Sequence, residues 1–112
     1  MLNKIIAFDL DGTLTINSII DFKKKTPEEM EKIYIELLPN LKMIDILNCI
    51  AQDNLVYIFT ARDDIYQDVT IKWLKRHGVN YKFVIMKKPF YDILIDDSTM
   101  SPEEAVKLYG NV

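Results

Sequence analysis

The chain has 112 residues, 49% hydrophobic and 28% charged, which describes a globular domain with enough material for one α/β core. Its 17 acidic and 14 basic residues give a formal charge of −3, so no global charge favours nucleic acid, and none is expected as a partner. The single cysteine, Cys49, excludes an internal disulfide, and no stretch approaches the roughly 18 apolar residues of a membrane span, so a cytoplasmic protein without a membrane partner is expected.

The first predicted element is a strand over residues 4–9, where Ile5-Ile6-Ala7-Phe8 runs into Asp9-Leu10-Asp11-Gly12-Thr13. Apolar residues ending in two acids describe a buried strand that delivers carboxylates to its carboxyl end, where open α/β sheets keep their chemistry. Asp9 and Asp11 converge on one spot if the chain turns at Asp11, which Gly12 permits. Carboxylates crowded this way repel each other unless a cation lies between them, and a hard, oxygen-seeking ion such as Mg²⁺ suits that place. One acid can then be a nucleophile and the other an acid/base. Taken alone, the same pattern also describes a β-turn with solvated acids.

Residues 17–38 read as a linker carrying Ile19, Ile20 and Phe22, followed by a helix that Pro27 opens and Thr26 caps. Its apolar positions Met30, Ile33, Tyr34, Leu37 and Leu38 recur at helical spacing. The piece is either an extra helix on the sheet or a minimal lid. A second helix over 41–51 offers Ile44, Leu47, Cys49, Ile50 and Ala51 to the core, and 55–59 is the second strand. Ile65, Val69, Trp73 and Leu74 share a face of a helix over 64–77, which stops at Gly78. Strands over 82–86 and 92–95 follow. Ser101, with Glu104 three residues on, caps a last short helix that runs to Tyr109.

Strand–helix alternation predicts a three-layer α/β/α sandwich with a mostly parallel sheet, as one domain over 1–112. Strand 4–9 should be central, with 55–59 on one side and 92–95 on the other, and 82–86 outside 55–59. Each strand ends in polar residues: Asp9 and Asp11, Thr60 and Arg62, Lys87 and Lys88, Asp96 and Asp97. A parallel sheet gathers those ends at one edge. Acids, a hydroxyl, an arginine and a lysine around one crevice point to a metal-dependent phosphoryl site.

In this order the residues resemble the haloacid dehalogenase-like hydrolase superfamily, mostly Mg²⁺-dependent phosphatases that work through an aspartyl-phosphate. Its motif D-x-D-G-T is matched by Asp9-Leu10-Asp11-Gly12-Thr13, its strand-ending hydroxyl by Thr60, its lysine near a proline by Lys88-Pro89, and its paired acids by Asp96-Asp97. The resemblance implies a Rossmann-like fold with Mg²⁺ as cofactor. It makes Asp9 the nucleophile and Asp11 the acid/base, with the Asp11 backbone carbonyl as a metal ligand. Thr60 would hold a phosphoryl oxygen together with backbone N–H groups near Asp11, Gly12 and Ala61. Lys88 would neutralise Asp9 and the phosphoryl group. Asp96 would bind the metal, with Asp97 binding through water or orienting the other ligands.

Thr60-Ala61-Arg62 with Thr70, Trp73-Leu74 and His77-Gly78-Val79 resembles a branch of small phosphatases found with sugar-phosphate and capsular polysaccharide genes. That implies a small phosphorylated metabolite as substrate. Alternatives are a phosphatase of a nucleotide, polynucleotide end or protein, and a non-catalytic Mg²⁺- or phosphate-binding regulatory domain. Arg62 is read two ways, as a fork onto an anionic group of the substrate or as a partner of Asp63, Asp64 or Asp97. Trp73 is a core residue, His77 a helix-end group, and Asp92 a pin for the loop carrying Lys88. An uncapped site tolerates large substrates or is roofed by a neighbouring subunit, which leaves a homo-oligomer open.

Overall fold

The computed structural model describes residues 3–16, 25–89 and 93–110. Three parallel strands form the sheet in the order β1 (Ile5–Asp9), β2 (Leu55–Phe59), β3 (Phe83–Ile85). Helices α1 (Pro27–Glu36) and α2 (Leu41–Ile50) intervene between β1 and β2. A 3₁₀ turn (Asp64–Tyr66) and α3 (Gln67–Arg76) intervene between β2 and β3, and α4 (Pro102–Tyr109) follows the sheet. Helical crossovers are what allow neighbouring strands to run parallel. The outcome is the expected α/β architecture, a parallel sheet flanked by helices on both sides.

Register places Phe8, Ile58 and Val84 side by side across the strands, with Ile6 beside Val56. These residues face a core that includes Leu10, Leu14, Met43, Leu47, Trp73 and Leu74. A fully buried aliphatic or aromatic side chain contributes about 1.5–3 kcal/mol, and this layer is where most of that gain lies. The alternate row is less covered, and there Tyr57 meets Phe83 edge to face at 5.3 Å.

Local chemistry explains the helix starts. Thr26 and Glu29 form a reciprocal capping box at α1, Asn40 accepts from the Met43 N–H at α2, and Ser101 accepts from the Glu104 N–H at α4. α1 packs on α3 through Met30, Tyr34, Leu37 and Val69. Its C-terminal end is tied there by Trp73 Nε1, which donates to the Leu37 carbonyl at 2.8 Å, and by Arg76, which donates to the Ile35 carbonyl. The piece containing α1 leaves and returns through an isolated antiparallel bridge, Thr15 to Pro39. Its residues 17–24, with Ile19, Ile20 and Phe22, lie outside the described residues.

Four expectations change. Cys49 is exposed rather than core, because α2 buries the stripe of Met43, Ile44, Ile46, Leu47 and Ile50, and position 49 falls with Asp45 on the other side. Ile65 is 59% exposed, since the chain passes through a 3₁₀ turn before α3 and the shared helical face begins only at Val69. Leu38 is 66% exposed because α1 ends at Glu36.

The largest change concerns the fourth strand. Residues 93–96 carry no strand, Ile93 and Ile95 are 80% and 94% exposed, and β1 is an edge strand among the described residues rather than the central one. Pairing that segment with β1 would carry Asp96 and Asp97 towards Asp9 and Asp11 and stack like charges at one sheet end. Turned outward, Asp96 instead accepts from the Ser98 backbone N–H at 3.1 Å. Asp92, with Phe90 and Tyr91, lies outside the described residues.

Candidate active site

β1 delivers Asp9 to the carboxyl edge of the sheet, and the chain then winds around one carbonyl. The N–H groups of Thr13, Leu14 and Thr15 all reach the Leu10 oxygen, at 3.2, 2.9 and 3.2 Å. Leu10 and Leu14 are fully buried and anchor the turn from below. Gly12 takes φ +83°, a left-handed conformation that costs other residues about 1–2 kcal/mol, and its N–H donates to Thr15 Oγ1 at 3.1 Å. Asp9 and Asp11 therefore stand at the rim, each with a side chain 43% exposed.

β2 ends beside them in Thr60, which is almost wholly buried. Its hydroxyl oxygen accepts from the Arg62 backbone N–H at 3.2 Å, a local turn that folds the arginine back over the site. Arg62 Nε donates to Asp11 Oδ2 at 3.0 Å and Nη2 to Asp11 Oδ1 at 2.7 Å, the paired geometry that guanidinium and carboxylate favour. Nη1 donates to Thr70 Oγ1 at 2.9 Å, and the guanidinium carbon lies 3.7 Å from the centroid of the Tyr34 ring. The partner is thus Asp11, not Asp63, Asp64 or Asp97. With the Arg62 side chain only 2% exposed and three of its nitrogens bonded, it presents little to a substrate. Tyr34 packs edge to face on Tyr66, and burial pushes its phenol above the ordinary range, opposed by the Arg62 charge.

Beyond β3 the backbone stays laddered to the end of β2. The Lys87 N–H donates to the Arg62 carbonyl at 2.9 Å and the Lys88 N–H to the Thr60 carbonyl at 2.8 Å. Lys87 sits at φ +59°, and this left-handed kink separates the two lysines. Lys87 pairs with Asp64 at 3.1 Å on the surface, and that hydrogen bond holds its ammonium pKa up. Lys88, largely buried, places Nζ 3.0 Å from Asp9 Oδ1.

Asp9, Asp11, Thr60, Arg62 and Lys88 therefore meet at one edge, while Asp96 and Asp97 bond within their own turn. Asp97 accepts from the Ser98 hydroxyl at 3.0 Å, while the Ser98 N–H, with Asp97 adding to it, holds the exposed Asp96 carboxyl below its ordinary value. Asp96 does share with Asp9 and Lys88 the lining of a cavity of about 700 Å³ along the open edge of β1. Among the described residues no three His, Cys, Asp or Glu side chains come together in a metal cluster. The donor types at the β1 end, carboxylate and backbone carbonyl oxygens, are those a hard divalent cation takes. Because Arg62 occupies both Asp11 carboxylate oxygens, ligation at that residue would fall to its backbone carbonyl.

Tyr34 and Thr15 are site residues that sequence reasoning missed. Tyr34 carried only an apolar-spacing signal, and nothing local connects a helix position to an arginine 28 residues later.

No protein-family model matches the chain, and no curated protein does. Solved structures do. A crystal structure of a structural-genomics target from Vibrio cholerae is 26% identical, covers 96% of this chain and 98% of its own, and superposes with a TM-score of 0.69. A chain in the structure of the Pnkp1/Rnl/Hen1 RNA repair complex is 23% identical over 76% of this chain with a TM-score of 0.60. A second structure of the Pnkp1/Rnl/Hen1 complex contributes a chain 20% identical over 96%, with a TM-score of 0.60. They share its fold. The chain spans 26% and 34% of those two longer chains. The expectation that nucleic acid is no partner is corrected by this finding. A fold used within an RNA repair complex shows that a net charge of −3 is no ground for that exclusion. Among the described residues no helix is long and apolar enough to cross a membrane.

Proposed function

We propose that this chain is a phosphomonoesterase in which Asp9 attacks phosphorus and Asp11 moves the proton. The observation that carries the reading is the pairing of two neighbouring acids with two different cations at one sheet edge. Asp9 meets a single lysine ammonium through one oxygen, while Asp11 is forked on a buried arginine through both. The first arrangement leaves a carboxylate oxygen for attack, and the second fixes the direction of an acid/base.

In the proposed reaction Asp11, which takes up a proton from water as the anionic ester binds, gives it to the leaving oxygen as an Asp9 oxygen forms a bond to phosphorus and the bond to that leaving oxygen breaks. Asp11 then takes a proton from the water that cleaves the aspartyl-phosphate, which restores both acids and releases phosphate. Lys88 and the Thr60 hydroxyl offset charge on the transferring oxygens, assisted by backbone N–H groups near Gly12 and Ala61. Mg²⁺, held by Asp9, the Asp11 carbonyl, Asp96 and, through water, Asp97, would neutralise phosphate charge when bound.

For the substrate we favour a phosphorylated nucleotide or polynucleotide end over a sugar phosphate. The similarity to chains of an RNA repair complex supports this, and so does a rim that leaves Asp9 and Asp11 each 43% exposed, open to a bulky ester. A panel of 3′- and 5′-phosphorylated oligonucleotides, mononucleotides and sugar phosphates, with Mg²⁺ and Asp9→Asn as blank, tests both parts. Phosphate release fastest from an oligonucleotide or nucleotide is the expected result. Preference for a sugar phosphate would return the small-metabolite reading, and release by the Asp9→Asn blank would remove the mechanism.

A further inference from the structure

The structure assigns Arg62, Tyr34 and Thr70 to a positioning clamp that aims the Asp11 carboxylate and so makes α1 part of the acid–base apparatus. The inference rests on the phosphomonoesterase reading above.

Asp11 projects from a turn whose backbone is pinned by Leu10, but its side chain stands at the rim, where both χ angles would otherwise be free. The Arg62 fork removes that freedom, since two parallel N–H donors fix the carboxylate plane as well as its position. A fork aims a carboxylate only if it is itself rigid, and here the third nitrogen and one flat face of the guanidinium are taken as well. Thr70, fully buried on α3, accepts from Nη1, and the Tyr34 ring covers one flat face at 3.7 Å. The Arg62 backbone is held in turn by Thr60 and by the Lys87 N–H. Guanidinium stacking on an aromatic face holds more firmly where the contact is out of water, and this one is buried. Tyr34 comes from α1, inside the piece that loops out between Thr15 and Pro39, so that piece touches the chemistry through one ring.

A lysine keeps the charge of Arg62 but supplies neither the fork nor a flat face. Phenylalanine at position 34 keeps the ring, whereas leucine keeps only bulk. The test measures phosphoenzyme formation in a single turnover with Mg²⁺ for wild type, Arg62→Lys, Tyr34→Phe and Tyr34→Leu. Two esters are used, an aryl phosphate whose phenolate leaves without a proton and an alkyl phosphate whose alkoxide needs one. Arg62→Lys should lose about 100-fold on the alkyl ester, the scale of general acid catalysis, and under about 3-fold on the aryl ester. Tyr34→Leu should lose about 10-fold on the alkyl ester alone, and Tyr34→Phe should match wild type.

Equal losses on the two esters, or a raised KM with unchanged turnover, would overturn the clamp. So would a Tyr34→Phe variant as impaired as Tyr34→Leu. If Arg62→Lys does not fold, the two Tyr34 variants decide alone. A wild type that turns over neither ester removes the phosphomonoesterase reading instead.

Discussion

On the β2 side of Asp9, the neighbouring acid Asp11 is gripped by an arginine that is 2% exposed at its side chain, with Thr70 and Tyr34 behind it. On the open-edge side, Asp96 lies at the surface, bonded within its own turn to Ser98 with Asp97 beside it. The contrast follows from where each polar group sits. Arg62 lies between the sheet and two helices, and a buried charge is tolerated only when nearly every donor is matched. Asp96 keeps its water and needs nothing from the fold. Substitutions on the two sides should therefore fail in different ways, one through stability and the other through activity alone.

The largest contrast is expected from Asp96→Asn. It should leave Tm unchanged, as for surface substitutions that stay within about 0.5 kcal/mol. Mg²⁺-dependent turnover should nevertheless fall about 100-fold, if Asp96 reaches the metal as proposed. A fall in Tm comparable with that of Arg62→Ala would break the comparison, since it would mean that Asp96 is part of the folded layer.

Arg62→Ala should destabilise by about 2 kcal/mol, which thermal melting would read as a Tm lower by roughly 10 °C. The cost stays below that of a fully buried pair because Asp11, 43% exposed, recovers water. An unchanged Tm would show that the arginine is not structurally committed and would free it for substrate.

The smallest effect concerns Lys87, whose φ of +59° costs a non-glycine residue about 1–2 kcal/mol. Lys87→Gly should remove that cost and lose an exposed ion pair with Asp64, which water screens. Glycine's greater chain entropy takes back part of the gain, so a net change within about 0.5 kcal/mol is expected in chemical denaturation. A loss above about 2 kcal/mol would show that the Lys87–Asp64 pair holds the Lys88 loop.

Much of the sheet could be read from the chain because the signals were local. Ile5-Ile6-Ala7-Phe8 and Leu55 to Phe59 are short apolar runs, and Thr26 and Ser101 mark helix starts by what their own side chains bond. What escaped reading depends on groups distant in sequence. Arg62 stands beside Asp63 and Asp64 yet turns to an acid 51 residues away, because the Thr60 hydroxyl bends the backbone and Tyr34 offers a face. Cys49 and Ile65 were misplaced by one helical stripe each, an error that follows from small shifts in where a helix begins or which side it buries. Residues 93–96 have a strand's composition but not its pairing, and composition carries no information about whether an edge is occupied.

In the proposed reaction Asp9 carries the phosphoryl group. The most direct measurement is acid quenching of the protein during turnover of an aryl phosphate with Mg²⁺, followed by mass spectrometry of the peptide containing Asp9. A phosphoryl adduct on Asp9 in the wild type, accumulating in Asp11→Asn and lacking in Asp9→Asn, is the predicted result. Turnover with no adduct at any time point, or an adduct on another residue, would contradict it.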